Sequence, residues 1–354
     1  MQMKESITKM NKEFLYTLLD NMSVSGHEIE LQKKVIAEMK DHCDEIRTDY
    51  TGNVISVLNP EADFKVLLCG HIDEIGLIIT HISGDGLLHV AKAGGIYARV
   101  YPGHQVVVHG YNQKVIGTVI NNKDMGKAEL KDGDLIIDIG AKDAEDAKKY
   151  VQAGDPIHLH TYHEEMLNGY LAARAVDDRG CAFIVLEALK RAKEKGCKIG
   201  AYAATTVGEE TTMRGAHWAA SRVKPNVAIA VDVTYAQDYP GTNPAESGDV
   251  KLGKGPVICN GSMANKKVNE LLKACAKEND IPYQIESFVG RTGTDADKMH
   301  FAGEGYVTAL LSLPLRYMHS PSEVCHFDDI ENAIELLAAF LCKIDENTDI
   351  DPFS

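Results

Sequence analysis

Cysteine pairs at Cys-x-x-Cys spacing are missing from this sequence. The eight cysteines, Cys43, Cys69, Cys181, Cys197, Cys259, Cys275, Cys325 and Cys342, are scattered, which excludes a zinc ribbon or a thioredoxin-like redox motif. Several lie in apolar runs such as Val66-Leu67-Leu68-Cys69. There a thiol acts as a small hydrophobe, so a reducing, cytoplasmic setting is expected. Long apolar runs are missing too. Nothing approaches the roughly 18 residues of a membrane span, and Met1 to Glu13 are polar and mixed in charge, unlike an export signal. No membrane partner is expected. Basic residues are outnumbered, 37 Lys and Arg against 52 Asp and Glu, a net charge of -15. Nucleic acid is therefore excluded as a partner, because phosphate binding needs a basic face. Aromatics are few, but 44% hydrophobic residues over 354 positions leave material for a sizeable core, in one large domain or two ordinary ones.

Periodicity gives the organisation. Phe14, Leu15, Leu18 and Leu19 recur at helical spacing. Ser25-Gly26-His27-Glu28 reads as a capping box for a second helix carrying Leu31, Val35, Ile36 and Met39. Gly52-Asn53 marks a turn before the strand Val54 to Leu58, and Lys65 to Cys69 is a short buried strand. From about residue 75 to 162 the texture changes to short β-type runs: Gly76 to Thr80, Gln105 to Val108, Lys114 to Ile120 and Asp134 to Ile139. Only Ala144 to Gln152 reads as helix in that stretch. Helices and buried strands then return: helix Cys181 to Lys195, strands Ile199 to Val207 and Val227 to Val233, helix Asn265 to Glu278, strand Val307 to Leu313 and helix Asp329 to Lys343. Alternating strands and helices predict an α/β sheet covered on both faces. The expected organisation is a discontinuous α/β domain, 1–74 and 163–354, interrupted by a β-rich barrel or sandwich at 75–162.

Five segments put metal-capable side chains at predicted strand ends or helix starts, where such sheets gather ligands. They are His71-Ile72-Asp73, Val176-Asp177-Asp178-Arg179, Gly208-Glu209-Glu210, Val231-Asp232-Val233 and Met318-His319-Ser320-Pro321. Each alone has an ordinary reading. His71 suits a buried hydrogen-bonded histidine, Asp177 a helix N-cap, Glu209-Glu210 a solvated turn and His319 a loop residue. Asp232 ends an apolar strand, so it must be paired, solvated or metal-bound. Together, two histidines and several carboxylates suit a two-metal hydrolase, which needs a bridging carboxylate, terminal ligands and a free carboxylate to move protons. Mixed His and carboxylate ligation suits zinc, with cobalt or manganese as alternatives. Asp73 is placed to orient His71.

At these residues the sequence resembles the TET-type aminopeptidases of metallopeptidase family 42 over nearly its whole length. The marks are Ser25-Gly26-His27-Glu28, Gly70-His71-Ile72-Asp73-Glu74-Ile75-Gly76, Asp177-Asp178-Arg179, Glu209-Glu210, Arg214-Gly215-Ala216, Asp232-Val233-Thr234, Gly293-Thr294-Asp295-Ala296 and Leu315-Arg316-Tyr317-Met318-His319-Ser320-Pro321. The resemblance implies that Asp177 bridges two divalent metals. It implies that His71 and Asp232 complete one site, that Glu210 and His319 complete the other, and that Glu209 is the general base with Asp73 behind His71. It implies a mixed-sheet peptidase domain with an inserted PDZ-like dimerisation domain. Short peptides are the implied substrates, and the implied assembly is a homo-oligomer, from dimer to tetrahedral dodecamer.

Departures border the implied site. Gly208 precedes the glutamate pair where the family has Gln, Thr211-Thr212-Met213 follows it, and Arg291 stands where many members have Gly. Arg291 is either a solvent-facing loop residue or a basic group favouring acidic substrates. His158, His160 and His163 lack a matching carboxylate motif and are not expected to bind metal. Asp295 is expected to hold a turn by local hydrogen bonds. Three other functions share these residues: a glycosidase using Glu209 and Glu210, an amino-acid deacylase on the same metals, and a catalytically silent assembly protein. Glu209 and Glu210, if extended, point to opposite sides, which disfavours the glycosidase.

Overall fold

A computed structural model describes residues 10–111, 113–122 and 129–354; most of the polar opening stretch, Met1 to Lys9, lies outside them. Four apolar strands lie side by side in parallel, in the order Gly200–Thr206, Lys65–His71, Val227–Tyr235, Val307–Leu315. Val54–Leu58 and Glu45–Thr48 continue the sheet at one edge, Val257–Cys259 and Gln284–Glu286 at the other, giving eight strands. Alternate residues serve opposite faces, as the pleat requires. Val66 and Leu68 pack into one core with helices Lys12–Asp20, Val176–Glu194 and Phe327–Lys343. Leu67 and Cys69 pack into the other, under helices Arg214–Val223 and Ala296–Met299. A sheet buried on both faces explains why these strands read as continuous apolar runs.

After His71 the chain leaves the sheet and builds a closed antiparallel barrel. Its strands, in order around the barrel, are Gly76–Ile82, Leu88–Ala93, Ile136–Asp138, Lys114–Val119, Gln105–His109 and Pro156–Leu159. Leu77, Ile79, Val90, Val106, Val108 and Ile137 fill its separate core. Closure leaves no free strand edge. Some expectations here need correction. The helix expected over Ala144 to Gln152 shrinks to Ala144–Ala147, capped by Asp143. Asp132–Asp134 forms a 3-10 turn, which shortens the strand beside it. Leu88–Ala93 and Pro156–Leu159 were not anticipated: one mixes His and Lys among its apolar residues, and the other opens on Pro.

Ser25 and Glu28 do not form a capping box. The second helix, Ile29–Met39, starts after Glu28 without a side-chain cap. Glu28 Oε1 accepts from the Gly26 amide, and Ser25 Oγ meets Thr211 Oγ1 at 3.0 Å. Val24 is already bridged to Glu74 where the barrel begins, and the Ser25 amide donates to the Glu74 carbonyl. That junction is tied by charge. Glu74 is buried between Arg174 and Arg179, with Arg179 Nη2 at 2.5 Å. Arg179, itself fully buried, also donates to the carbonyls of Leu18, Leu19 and Asn21 at the end of the first helix. Burial pushes the Glu74 pKa upward, but the two guanidiniums outweigh it and bring it down to about 2.

Candidate metal centre

The chemistry gathers toward the carboxyl ends of the four parallel strands. His71 closes its strand, Asp232 sits near the end of Val227–Tyr235, and Glu209 and Glu210 follow Gly200–Thr206. His319 lies just beyond Leu315. Asp177 lies in a non-helical turn at the start of Val176–Glu194, where Ala175 and not Asp177 is the cap residue. The Asp177–Asp178 peptide is cis.

Asp177 lies between the histidines. Its Oδ1 is 3.3 Å from His71 Nε2, and its Oδ2 is 3.1 Å from His319 Nε2. Glu209 Oε2 is 3.7 Å from His71 Nε2, and Glu210 Oε1 is 3.6 Å from His319 Nε2. Among the described residues two donor groups emerge that share Asp177. One is His71, Asp177, Asp178 and Asp232; the other is Asp177, Glu210 and His319. Glu209 and Glu210 do not face opposite sides as an extended chain would require. Glu209–Thr212 is a helical turn, and both carboxylates line one cavity of about 280 Å³.

Both imidazoles are held by their other nitrogen. His319 Nδ1 is 2.9 Å from the Gly95 carbonyl, in the barrel segment. His71 Nδ1 is 3.1 Å from the Asp73 carbonyl and 3.6 Å from the Asp73 carboxylate. Such bonds fix the ring and leave Nε2 to point inward. The Asp73 carboxylate itself accepts from the Glu209 and Glu210 amides at 3.0 and 3.2 Å. Asp178 accepts from the His71 amide at 3.0 Å. Glu323, absent from the sequence-derived set, accepts from the Asp177 amide at 3.1 Å and the His319 amide at 2.8 Å. Its only signal is an acid opening the short apolar stretch Glu323-Val324-Cys325 just after His319.

The electrostatics ask for a cation. Burial pushes Asp232 up to about 8, Asp177 and Asp295 adding and His71 opposing. Glu209 and Glu210 are also raised well above the usual range, first by burial and then by neighbouring carboxylates, against the histidines. Asp177 is the exception: burial opposes ionisation, but His319 and His71 outweigh it and hold its pKa low. Two histidines are too little positive charge for so many buried acids. Glu209 Oε1, Glu210 Oε1 and Asp178 Oδ1 are buried without a hydrogen-bond partner, a costly arrangement unless something else fills their lone pairs. This set of His nitrogens and carboxylate oxygens fits divalent metal.

Other expectations resolve differently. His158 Nδ1 bonds the Leu159 carbonyl, His160 faces Gln105 and His163 pairs with Asp20, so these three do not converge. Asp295 does not hold a turn. Its carboxylate, buried, accepts from Thr206 Oγ1. The turn is held by Asp297, which accepts from the Thr292 and Gly293 amides. Arg291 is exposed and lines a cleft of about 510 Å³ with Met263, Lys298, His300 and Phe301. That cleft shares Gly293 with the cavity lined by the two histidines and the glutamate pair. Among the described residues no helix is long and apolar enough to cross a membrane.

The profile of a family described as M42 glutamyl aminopeptidase matches residues 52–336. A lysyl aminopeptidase of Pyrococcus furiosus is 33% identical over 93% of this chain and 96% of its own. The structure of a TET aminopeptidase from a marine-sediment Thaumarchaeota archaeon superposes with a TM-score of 0.89 at 32% identity, covering 95% of this chain and 97% of that one. The TET1 peptidase of Pyrococcus horikoshii, which can assemble into a tetrahedron or a large octahedral shell, gives 0.85 at 30% identity, over 94% and 99%. The family match spans most of the sequence and the relatives match along nearly their whole length, so this chain belongs to the M42 glutamyl aminopeptidase family and is a metal-dependent aminopeptidase.

Proposed function

We propose that the site holds two divalent ions, one by His71 and Asp232, the other by Glu210 and His319, with Asp177 shared. The observation that carries this reading is the placement of Asp177, whose two oxygens face the two histidines separately. When bound, the ions would polarise the scissile carbonyl and make a water acidic enough to act as nucleophile. Glu209 is the group that takes the water proton and passes it to the leaving amine. Of the carboxylates that line the cavity it is the one outside the two donor groups, and its Oε1 has no hydrogen-bond partner among the described residues. Asp73 keeps Glu209 and Glu210 in place through their amides. Zinc is the ion this His and carboxylate set suits best, and cobalt and manganese accept the same donors.

The substrates in this reading are short peptides, shortened from the N-terminus. The same reading has the chain assemble through the inserted barrel, from dimer to dodecamer; the shells that the Pyrococcus horikoshii relative forms support assembly as such. The eight free thiols support a cytoplasmic setting. The test is removal of metal by a chelator and reconstitution with zinc, cobalt or manganese, assayed over a panel of aminoacyl amides. Hydrolysis should vanish and return. With a glycoside and N-acyl amino acids added to the panel, glycoside hydrolysis that survives chelation would favour the glycosidase, activity only on N-acyl amino acids the deacylase, and no turnover with any metal a silent assembly protein.

A further inference from the structure

His319 and Asp177 are far apart in sequence, yet one side chain holds both. Glu323 is 2% exposed. Its Oε1 accepts from the His319 amide at 2.8 Å and its Oε2 from the Asp177 amide at 3.1 Å. The strand that carries it, Glu323–His326, pairs with Tyr170–Ala173, the strand leading into Asp177, and Ala173 stands opposite Glu323. The carboxylate is thereby delivered to the gap between the two segments. The His319 backbone needs such a hold. Its φ is +62°, in the left-handed region that residues with a Cβ adopt only at a cost. The imidazole is fixed separately through Gly95. The hydrogen bonds from Glu323 to these two ligands run to backbone amides, and its charge also acts on the nearby His319 imidazole.

We propose that Glu323 is a positioning residue that sets the spacing between the shared carboxylate of Asp177 and the terminal ligand His319, and so the affinity of the ion at the His319 end. This rests on the two-ion reading above. The geometry makes a selective claim. His71 and Asp232 have their own supports, Asp178 on the His71 amide and the Val233 amide on Asp232, so the other end should be less affected.

The test is Glu323→Gln. The amide keeps the volume, but it turns one acceptor into a donor facing an N–H. Metal-free protein is titrated with zinc by calorimetry and with cobalt by its visible spectrum. The full-length wild type and a His319→Ala variant run beside it, the latter identifying the His319-end ion. Affinity for that ion is expected to fall about 10- to 100-fold, as when outer partners of ligands are removed. The other ion should change less. Hydrolysis lost at limiting zinc should recover at excess zinc, a recovery that general structural damage would not give. Both ions binding with wild-type affinity would overturn the proposal. If Glu323→Gln does not fold, Glu323→Asp keeps the charge but can reach only one amide, and the same fall is expected. Failure of both variants to fold would also overturn it, making Glu323 a determinant of the fold and not of ligand spacing. A wild type that binds one ion would sink the two-ion reading alone; the Glu323 proposal would then be judged by whether that ion's affinity falls as stated.

Discussion

Glu209 and Glu210 are identical side chains given different neighbours. Glu210 faces His319 and Glu209 faces His71, but only Glu210 joins a donor group with Asp177. Glu209→Gln should therefore keep its metal content and lose about 10²- to 10⁴-fold in kcat; a rate near that of the wild type would remove Glu209 from the chemistry. Arg291 poses a question of substrate choice. The cleft it shares with Lys298 and His300 abuts the ligand cavity, so Arg291→Ala should reduce turnover of glutamyl amides relative to leucyl amides, read as the ratio of the two kcat/KM values. An unchanged ratio would leave Arg291 a solvent-facing residue. At this scale the sequence made legible the side chains that the fold brings together, because His and carboxylates at the ends of apolar strands are conspicuous. Of their supports it made only Asp73, beside His71, legible. Glu323 and Asp178 act on backbone amides, and nothing in an isolated segment tells which distant amide a carboxylate will meet. Asp295 shows the same limit: a turn-like setting suggested local bonds, and folding gave it Thr206 instead.

The elements meet at the barrel loop. Gly95 offers its carbonyl to His319 Nδ1, and a Cβ at Gly95 would stand 2.9 Å from His319 Cε1. Gly95→Ala should leave the barrel folded, displace the imidazole and lower kcat about 10²-fold, the size expected of a small misplacement at a reacting centre. Circular dichroism with steady-state kinetics checks it; normal kinetics would mean that the ring is not held from the barrel. The departure at Gly208 also makes sense at this scale. Its φ is +67°, and a Cβ there would lie 1.9 Å from Arg214 Nη1. Arg214 in turn reaches Thr211 and Glu28. Gly208, Thr211 and Arg214 are thus one packed patch behind the glutamate pair. The long buried strands were readable from their apolar runs, and so were four of the barrel strands; Leu88–Ala93 and Pro156–Leu159 were not, since closure rather than composition holds them.

Across the whole molecule, two domains with separate cores are joined at the buried Glu74, Arg174 and Arg179 cluster. Glu74→Gln would leave two guanidiniums facing a neutral group, and should destabilise the fold by about 3–5 kcal/mol, the usual result of breaking a buried ion pair. The pH dependence has a definite sign. Glu74 titrates near 2 when folded, against an ordinary value of 4.5. Its contribution is complete above 4.5 and is lost as pH falls from there toward 2. Acid denaturation followed by fluorescence should show that limb in the wild type, and a weaker one in Glu74→Gln. The domain plan was visible from the change in texture near residue 75, but this joint was not, because Glu74 and its two arginines are about 100 residues apart in the chain.

All of this serves a site that should be built for two ions. The most direct measurement is the number of divalent ions bound per chain as hydrolysis of an aminoacyl amide returns to metal-free protein. The account predicts a plateau in rate at two ions per chain, with no rate in their absence. Full activity with one ion or none would contradict it.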